Sequence, residues 1–158
     1  MDKNEAVIQY LLQCSQIQDN PLFFNFLDAK DDNKQFITVA NDKRLNKTYI
    51  DGSVLRRYTF TIVDFRSVTY QAMVKTAGYP NENFEEFLDV QGIVDWIEEQ
   101  NDNRNYPNFG TDCIIEEIRT LTDNPVLNGV DSNITPPLAK YSISIQIDYL
   151  DISKKLFH

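Results

Sequence analysis

The sequence predicts an α+β fold in a single domain: a mostly antiparallel sheet with two main helices packed on one face. Three observations carry that expectation. Residues 140–149 alternate polar and apolar, as a strand with one dry and one wet face does. Two stretches, one at the N-terminus and one around residues 83–97, carry apolar stripes at helical spacing. At 158 residues, with 42% hydrophobic and 12% aromatic content, the chain fits one compact domain with a proper core.

Taken in order, the first element is an amphipathic helix. Asp2 caps it, Glu5 follows at capping-box spacing, and Val7, Tyr10, Leu11, Cys14 and Ile17 form its apolar stripe. Asn20-Pro21 ends it, because the residue before a proline is pushed out of the helical region. Leu22 to Leu27, LFFNFL, is a dense aromatic patch, and Asp28 to Lys34 reads as a charged turn. Gln35 to Ala40 is short and β-branched and reads as a strand. Thr48 to Ile50 is a candidate short strand, and Asp51-Gly52 is a tight-turn signal. Val54 to Phe65 is the next strand, with Tyr58, Phe60 and Ile62 on one face and Arg57, Thr59 and Thr61 on the other. Alternation fails at Val63-Asp64-Phe65, so either a bulge or burial on both faces is expected there.

Gly78 to Asn81 reads as a loop. Asn83 then caps a second helix, with Glu86 three positions on and Phe87, Val90, Val94 and Ile97 as its stripe, flanked by Ile93 and Trp96; Gly92 weakens its middle. Glu98 to Pro107 is expected to end the helix and form a polar loop. Thr111 to Thr122 suits either element and is assigned to a strand because it is short and Thr-rich at its end. Thr122 to Pro137 reads as a long loop. In the closing strand Tyr141, Ile143, Ile145, Ile147 and Tyr149 are the expected core face, packed beneath Val90, Val94 and Ile97. The domain spans 1–158, with the tail from about residue 152 expected to fray.

The chemistry is sparse. His158 is the single histidine and the last residue, which removes imidazole-based nucleophile schemes and nearly all zinc sites. No GxGxxG or GxxxxGK[ST] run is present, and five glycines leave no phosphate-cradling loop. The acid pairs Asp31-Asp32, Glu85-Glu86, Glu98-Glu99 and Glu116-Glu117 read as solvated surface, since neighbours on a helix or strand diverge. Cys14 and Cys113 have no ligand spacing and read as reduced, buried thiols, with a disulfide between them as the alternative. Trp96 reads as core or subunit contact. No cofactor, no metal and no catalytic centre are expected.

A net charge of -9 argues against a protein held on nucleic acid by phosphate contacts and against docking on an anionic membrane. It is compatible with a wall past which DNA slides. The N-terminus does not read as a signal peptide, and no window approaches a membrane span, so a cytoplasmic protein is expected. Within this acidic chain, Lys43 to Arg57 is a basic, polar stretch. Arg44, Lys47, Tyr49, Asp51, Arg56 and Arg57 are the candidates for a subunit contact, against the plainer reading of a solvated hairpin.

Three segments together resemble a known family: YIDGSVLRRYTFTI at Tyr49 to Ile62, DVQGIVDWIEEQNDNRNYP at Asp89 to Pro107, and LAKYSISIQIDYLD at Leu138 to Asp151. Their order is similar to that of tail terminator, or minor capsid, proteins of siphophages and myophages. The resemblance implies a virion subunit that forms a homohexameric ring on the finished tail tube, stops its polymerisation and presents a joint to the neck and head. It implies contacts with the tail tube protein, with neck or connector proteins and, in a contractile tail, with the sheath protein. DNA would pass through the lumen without specific binding. A one-sided sheet with polar hairpins and aromatic patches suits such a ring, which needs heterologous interfaces that close. The competing readings are another head-tail connector subunit, a protein-binding module outside phages, and a carboxylate-metal enzyme.

Overall fold

The computed structural model describes residues 2–18, 22–25, 33–38, 47–68 and 82–156. The architecture is α+β: a seven-stranded, mostly antiparallel sheet with the helices on one face, in one compact unit. Helices α1 (Lys3–Leu11) and α2 (Ser15–Gln18) are followed by strands β1 (Leu22–Phe24), β2 (Lys34–Thr38), β3 (Lys47–Thr48) and β4 (Val54–Ser67). Helix α3 (Glu82–Asp102) then precedes β5 (Cys113–Thr120), β6 (Val126–Asp131) and β7 (Leu138–Asp151). The sheet order is β1-β2-β4-β7-β5, with β3 alongside β4 and β6 alongside β7.

The centre of the sheet is the long pair β4 and β7, whose antiparallel register runs unbroken from Val54↔Asp151 to Ser67↔Leu138. Opposed residues share a face. Tyr58, Phe60 and Ile62 therefore lie on the same side as Tyr141, Ile143, Ile145, Ile147 and Tyr149, and the helices cover that side. Val90, Val94 and Ile97 of α3 are buried in one cluster with Tyr141, Ile143, Ile145 and Ile147, joined by Val7, Tyr10, Leu11, Cys14, Ile17, Phe36 and Ile118. Tyr149 is buried at its margin, against Phe109. Burying each such side chain is worth about 1.5–3 kcal/mol, which is what makes the period-two and period-3.6 patterns decisive for this chain.

At Val63–Phe65 both faces are buried and no bulge exists, because β4 keeps its register with β7. Val63 and Phe65 form a second small apolar cluster with Leu138 and Ile37 on the side away from the helices. The polar face is therefore confined to the stretch around Arg57 to Thr61 and Ser142 to Asp148.

Several expected boundaries move. The N-terminal helix is two helices. Its hydrogen bonds tighten at Gln13 N–H to Tyr10 O and Cys14 N–H to Leu11 O, which re-aims the chain so that Cys14 and Ile17 still reach the core. The Asp2 carboxylate accepts from Asn4 N–H, as an N-cap does. LFF forms a strand, parallel to β2, and Lys34, placed by sequence in a turn, is a fully buried strand residue. Asn83 lies inside α3 rather than capping it, and the helix runs on through Glu98 to Asp102. Gly92 sits where α3 meets α2: a Cβ there would lie 2.5 Å from Gln16 Nε2. The stretch assigned to a long loop contains β6, and all six of its residues are exposed. Cys14 is buried but Cys113 only partly so, and both are free thiols. Tail residues expected to fray are tied down: Ile152 N–H bonds to Asp112 O at 2.8 Å and Leu156 N–H to Asp51 O at 2.6 Å. The Gly78–Asn81 loop and the Asp28–Asp32 part of the charged turn lie outside the described residues.

Candidate functional site

Of the six candidate contact residues, Arg44 lies outside the described residues. Lys47, Tyr49 and Asp51 gather at one corner. Lys47 is exposed on β3 with its ammonium 5.5 Å from the centre of the Tyr49 ring, a cation-π distance. Asp51 accepts from the Ser53 hydroxyl at 2.6 Å and the Ser53 N–H at 3.0 Å, and those bonds, with Lys155 nearby, hold its carboxyl below the usual carboxylate range. Gly52 follows at φ +90°, and the Lys154 carbonyl oxygen sits 2.4 Å from where its Cβ would be. The chain's end thus closes onto this corner through Lys154, Lys155 and Leu156.

Arg56 and Arg57 do not form one basic patch. Neighbours on a strand point to opposite faces. Arg56 lies on the helix side and donates to Asp151 at 2.9 Å; Arg57 lies on the polar face and donates to Asp148 at 2.8 and 3.3 Å. The bond to Asp148 raises the Arg57 pKa further. The pairing subtracts both charges from the contact surface that the sequence suggested, and ties β4 to β7 instead.

A second polar cluster was not legible as a site in the sequence. Asp64 breaks the apolar alternation of β4 on the helix side, where it is 1% exposed. Lys34, its direct neighbour across β2, reaches it at 3.6 Å. Arg66, two residues on and on the same face, grips it with two parallel bonds of 3.0 Å. The outer nitrogen of Arg66 then reaches Glu86 at 3.1 Å and Asp89 at 2.5 Å, both on α3. Burial disfavours the Arg66 charge, but Asp64 and Asp89 outweigh it, so the guanidinium is held more firmly protonated than usual. Its role is positional: it fixes the first half of α3 onto β4.

The sheet edges are treated differently from one another. On β5, the outward Ile118 N–H donates to Asn101 Oδ1 at 3.0 Å, and the Tyr106 hydroxyl lies 3.3 Å from the Glu116 carbonyl. The end of α3 therefore seals that edge, and a bulge between Ile115 and Glu117 interrupts it further. On β6, Val126, Leu127 and Val130 are 43%, 52% and 47% exposed, and Leu121 and Ile134 flank them at 48% and 42%. At the opposite edge, Phe24 on β1 is 47% exposed.

A cleft of about 260 Å³ opens between Gln9 of α1, Gln13 in the turn that follows it, and the Tyr106–Asn108 stretch. Its lining offers carboxamides and two phenols. The Tyr10 hydroxyl, pushed up by burial, donates to the Asn105 carbonyl at 2.8 Å. Such a lining offers hydrogen-bond donors and acceptors. The described acid pairs do not converge: Glu86 turns to Arg66 while Glu85 is exposed, Glu98 and Glu99 are exposed on α3, and Glu116 is the extra residue of the β5 bulge beside the paired Glu117; Asp31-Asp32 lies outside the described residues. Among the described residues no three acidic, cysteine or histidine side chains are grouped to hold a metal ion, and no helix is long and apolar enough to cross a membrane. No protein-family model matches this chain, and no curated protein sequence matches it.

Proposed function

We propose that this chain is the subunit of a homohexameric ring that caps the tail tube of a bacteriophage or phage-tail-like particle, ends tube polymerisation and forms the joint to the neck and head. The observation that carries the reading is the packing of the three resembling segments. They are scattered through the sequence, yet β4 and β7 pair along all fourteen residues of each and α3 lies across them, so the segments form one structural unit. The apolar side chains exposed on β6 and β1 give further support, because a ring subunit needs two different contact surfaces on one copy. In this reading the ring's other partners are the tail tube protein, neck or connector proteins and, in a contractile tail, the sheath protein. It holds no cofactor, performs no catalysis and acts in the virion at the head-proximal end of the tail, after assembly in the host bacterial cytoplasm.

Imaging particles from which this subunit has been deleted tests the proposal. Tubes of abnormal length, or tails unable to join heads, are the expected result. Tails of normal length joined to heads would overturn it.

A further inference from the structure

We infer that the cleft between α1 and the stretch after α3 is a binding site for a neutral sugar residue. The inference goes beyond the ring reading and does not rest on it. It follows from what the lining residues have left to offer once their own hydrogen bonds are made.

The walls are fixed before any ligand arrives. Helix α3 ends in a left-handed turn: Arg104 takes a φ of 54°, its N–H bonds to Asn101 O at 3.1 Å, and Asn105 N–H reaches back to Gln100 O at 2.9 Å. The turn delivers Asn105 to the end of α1. There its carbonyl accepts from the Tyr10 hydroxyl at 2.8 Å, and its side-chain nitrogen donates to Gln13 Oε1 at 3.3 Å and Gln100 Oε1 at 2.6 Å. Tyr106 is tied down in turn, its hydroxyl 3.3 Å from both Asn101 Oδ1 and the Glu116 carbonyl oxygen. The Trp96 ring packs against Tyr10, 5.0 Å from it centre to centre. A ligand therefore meets a formed site and orders little on entry, which keeps the entropic cost of binding low.

Charge, hydrogen bonding and size then select the ligand. No lining residue is charged, and the chain as a whole is at -9, so an anionic ligand meets no cation here and a cationic one no carboxylate. The rim is made of carboxamides. Gln13 Oε1 is taken by Asn105, and Asn108 Oδ1 accepts from Gly110 N–H at 3.0 Å, so both residues have their NH2 groups left over. The Gln9 carboxamide makes no hydrogen bond among the described residues and offers donors and an acceptor. Below the rim the surface is carbon. The protons of both phenols are engaged, so Tyr10 and Tyr106 present ring carbon, beside the buried Ala6 and Pro107. A sugar ring has the matching form: a face of C–H groups and an edge of hydroxyls that both donate and accept. A purely apolar ligand would strip water from the three amide groups and leave them unpaired. At about 260 Å³ the cleft falls below the roughly 300–1,000 Å³ of sites for drug-sized ligands, which limits it to a small occupant such as one sugar residue.

Titration of the full chain with glucose, galactose, mannose and N-acetylglucosamine, followed by proton–nitrogen NMR, tests this. At least one of these sugars should move the side-chain NH2 signals of Gln9, Gln13 and Asn108 saturably, with half-saturation on the order of millimolar. The fluorescence of Trp96, the chain's single tryptophan, gives a second readout through Tyr10. Gln9→Ala removes an exposed side chain with no partner, so its melting temperature should match wild type while sugar binding weakens roughly three- to tenfold. No saturable shift with any of the four sugars would overturn the proposal, and so would unchanged affinity in Gln9→Ala. Equal shifts with glycerol at the same concentration would show a non-specific solvent effect and count against it. Tighter binding of glucuronate or glucosamine would refute the neutral class. Cleft signals that move when the protein alone is diluted would show that a second copy fills the cleft, which overturns the sugar assignment.

Discussion

Gly52 shows how a single residue can be legible for one reason and indispensable for another. The Asp51-Gly52 pair marks a turn in sequence because glycine tolerates the φ of +90° found there. What the sequence does not disclose is the Lys154 carbonyl, about a hundred residues away, closing to 2.4 Å from the position of a Cβ. Gly110 has a similar φ of +96° with nothing within 4 Å. Gly110→Ala should therefore cost the backbone strain alone, about 1–3 kcal/mol, and Gly52→Ala measurably more. Equal urea midpoints for the two variants would show that the tail does not close on this turn. The carboxylates of the same corner predict an acid response. Asp51 is held below the ordinary range by Ser53, with Lys155 assisting. Burial pushes Asp151 up, but bonds from Ser153 and Arg56 outweigh it and the net direction is down. Groups depressed in the folded state stabilise it above their unfolded pKa, about 3.9, and lose that contribution as pH falls through the lower folded value. An Asp51→Asn/Asp151→Asn variant should accordingly lose less stability between neutral pH and the acid limb than wild type. Parallel pH profiles would contradict it.

At the scale of elements, what could be read from sequence was whatever a periodic pattern dictates. The alternation of β7 and the stripes of α1 and α3 fix which residues face inward, and every residue from Tyr141 to Tyr149 assigned to the core is buried. Ile145, fully buried opposite Phe60 and Thr120, is the sharpest test. Ile145→Asp sets an unpaired carboxylate in the cluster and should prevent folding; a soluble variant that unfolds cooperatively would refute the assignment. The illegible elements are those whose reason lies elsewhere in the fold. Strand β6 has no buried residue, so no hydrophobic pattern could announce it; β7 supplies its hydrogen bonds. The last turn of α3 is polar because Asn101 serves the edge of β5. Lys34 looks like a turn residue until Asp64 is placed beside it, and the Asp64–Arg66 break in alternation is the one sequence signal of that cluster. Asp64→Asn leaves Lys34 and Arg66 buried without their shared carboxylate and should cost about 3–5 kcal/mol. Glu86→Gln, at the more exposed end, should cost within about 1 kcal/mol. A urea series in which the two losses are equal would show that the cluster does not depend on its buried end. The Arg56–Arg57 pair is the counterexample, a basic run that reads as a patch and is split by the pleat into two cross-strand ion pairs.

For the molecule as a whole, the distribution of charge matters more than its sum. Acidic residues outnumber basic ones 24 to 15. Lys34, Arg56, Arg57, Arg66, Arg119 and Lys155 are each within 4 Å of a carboxylate on the chain itself, so much of the basic minority is already neutralised locally. Nucleic acid held by phosphate contacts requires the opposite arrangement, clustered cations whose binding releases counterions, with affinity that falls steeply as salt rises. A subunit around a DNA passage needs weak contact with its cargo, since a cationic wall would retain each phosphate that passed. The free protein should therefore fail to retard double-stranded DNA even at low ionic strength, where any electrostatic attraction is greatest. Fluorescence anisotropy on a labelled duplex, titrated with protein across a salt series, measures this directly. The expected trace is flat at every salt concentration. Saturable binding whose logarithmic affinity falls with the logarithm of salt, at a slope of several, would mean that several cations converge on one face. That result would remove the acidic-wall argument from the proposed ring and move the protein toward a DNA-gripping role.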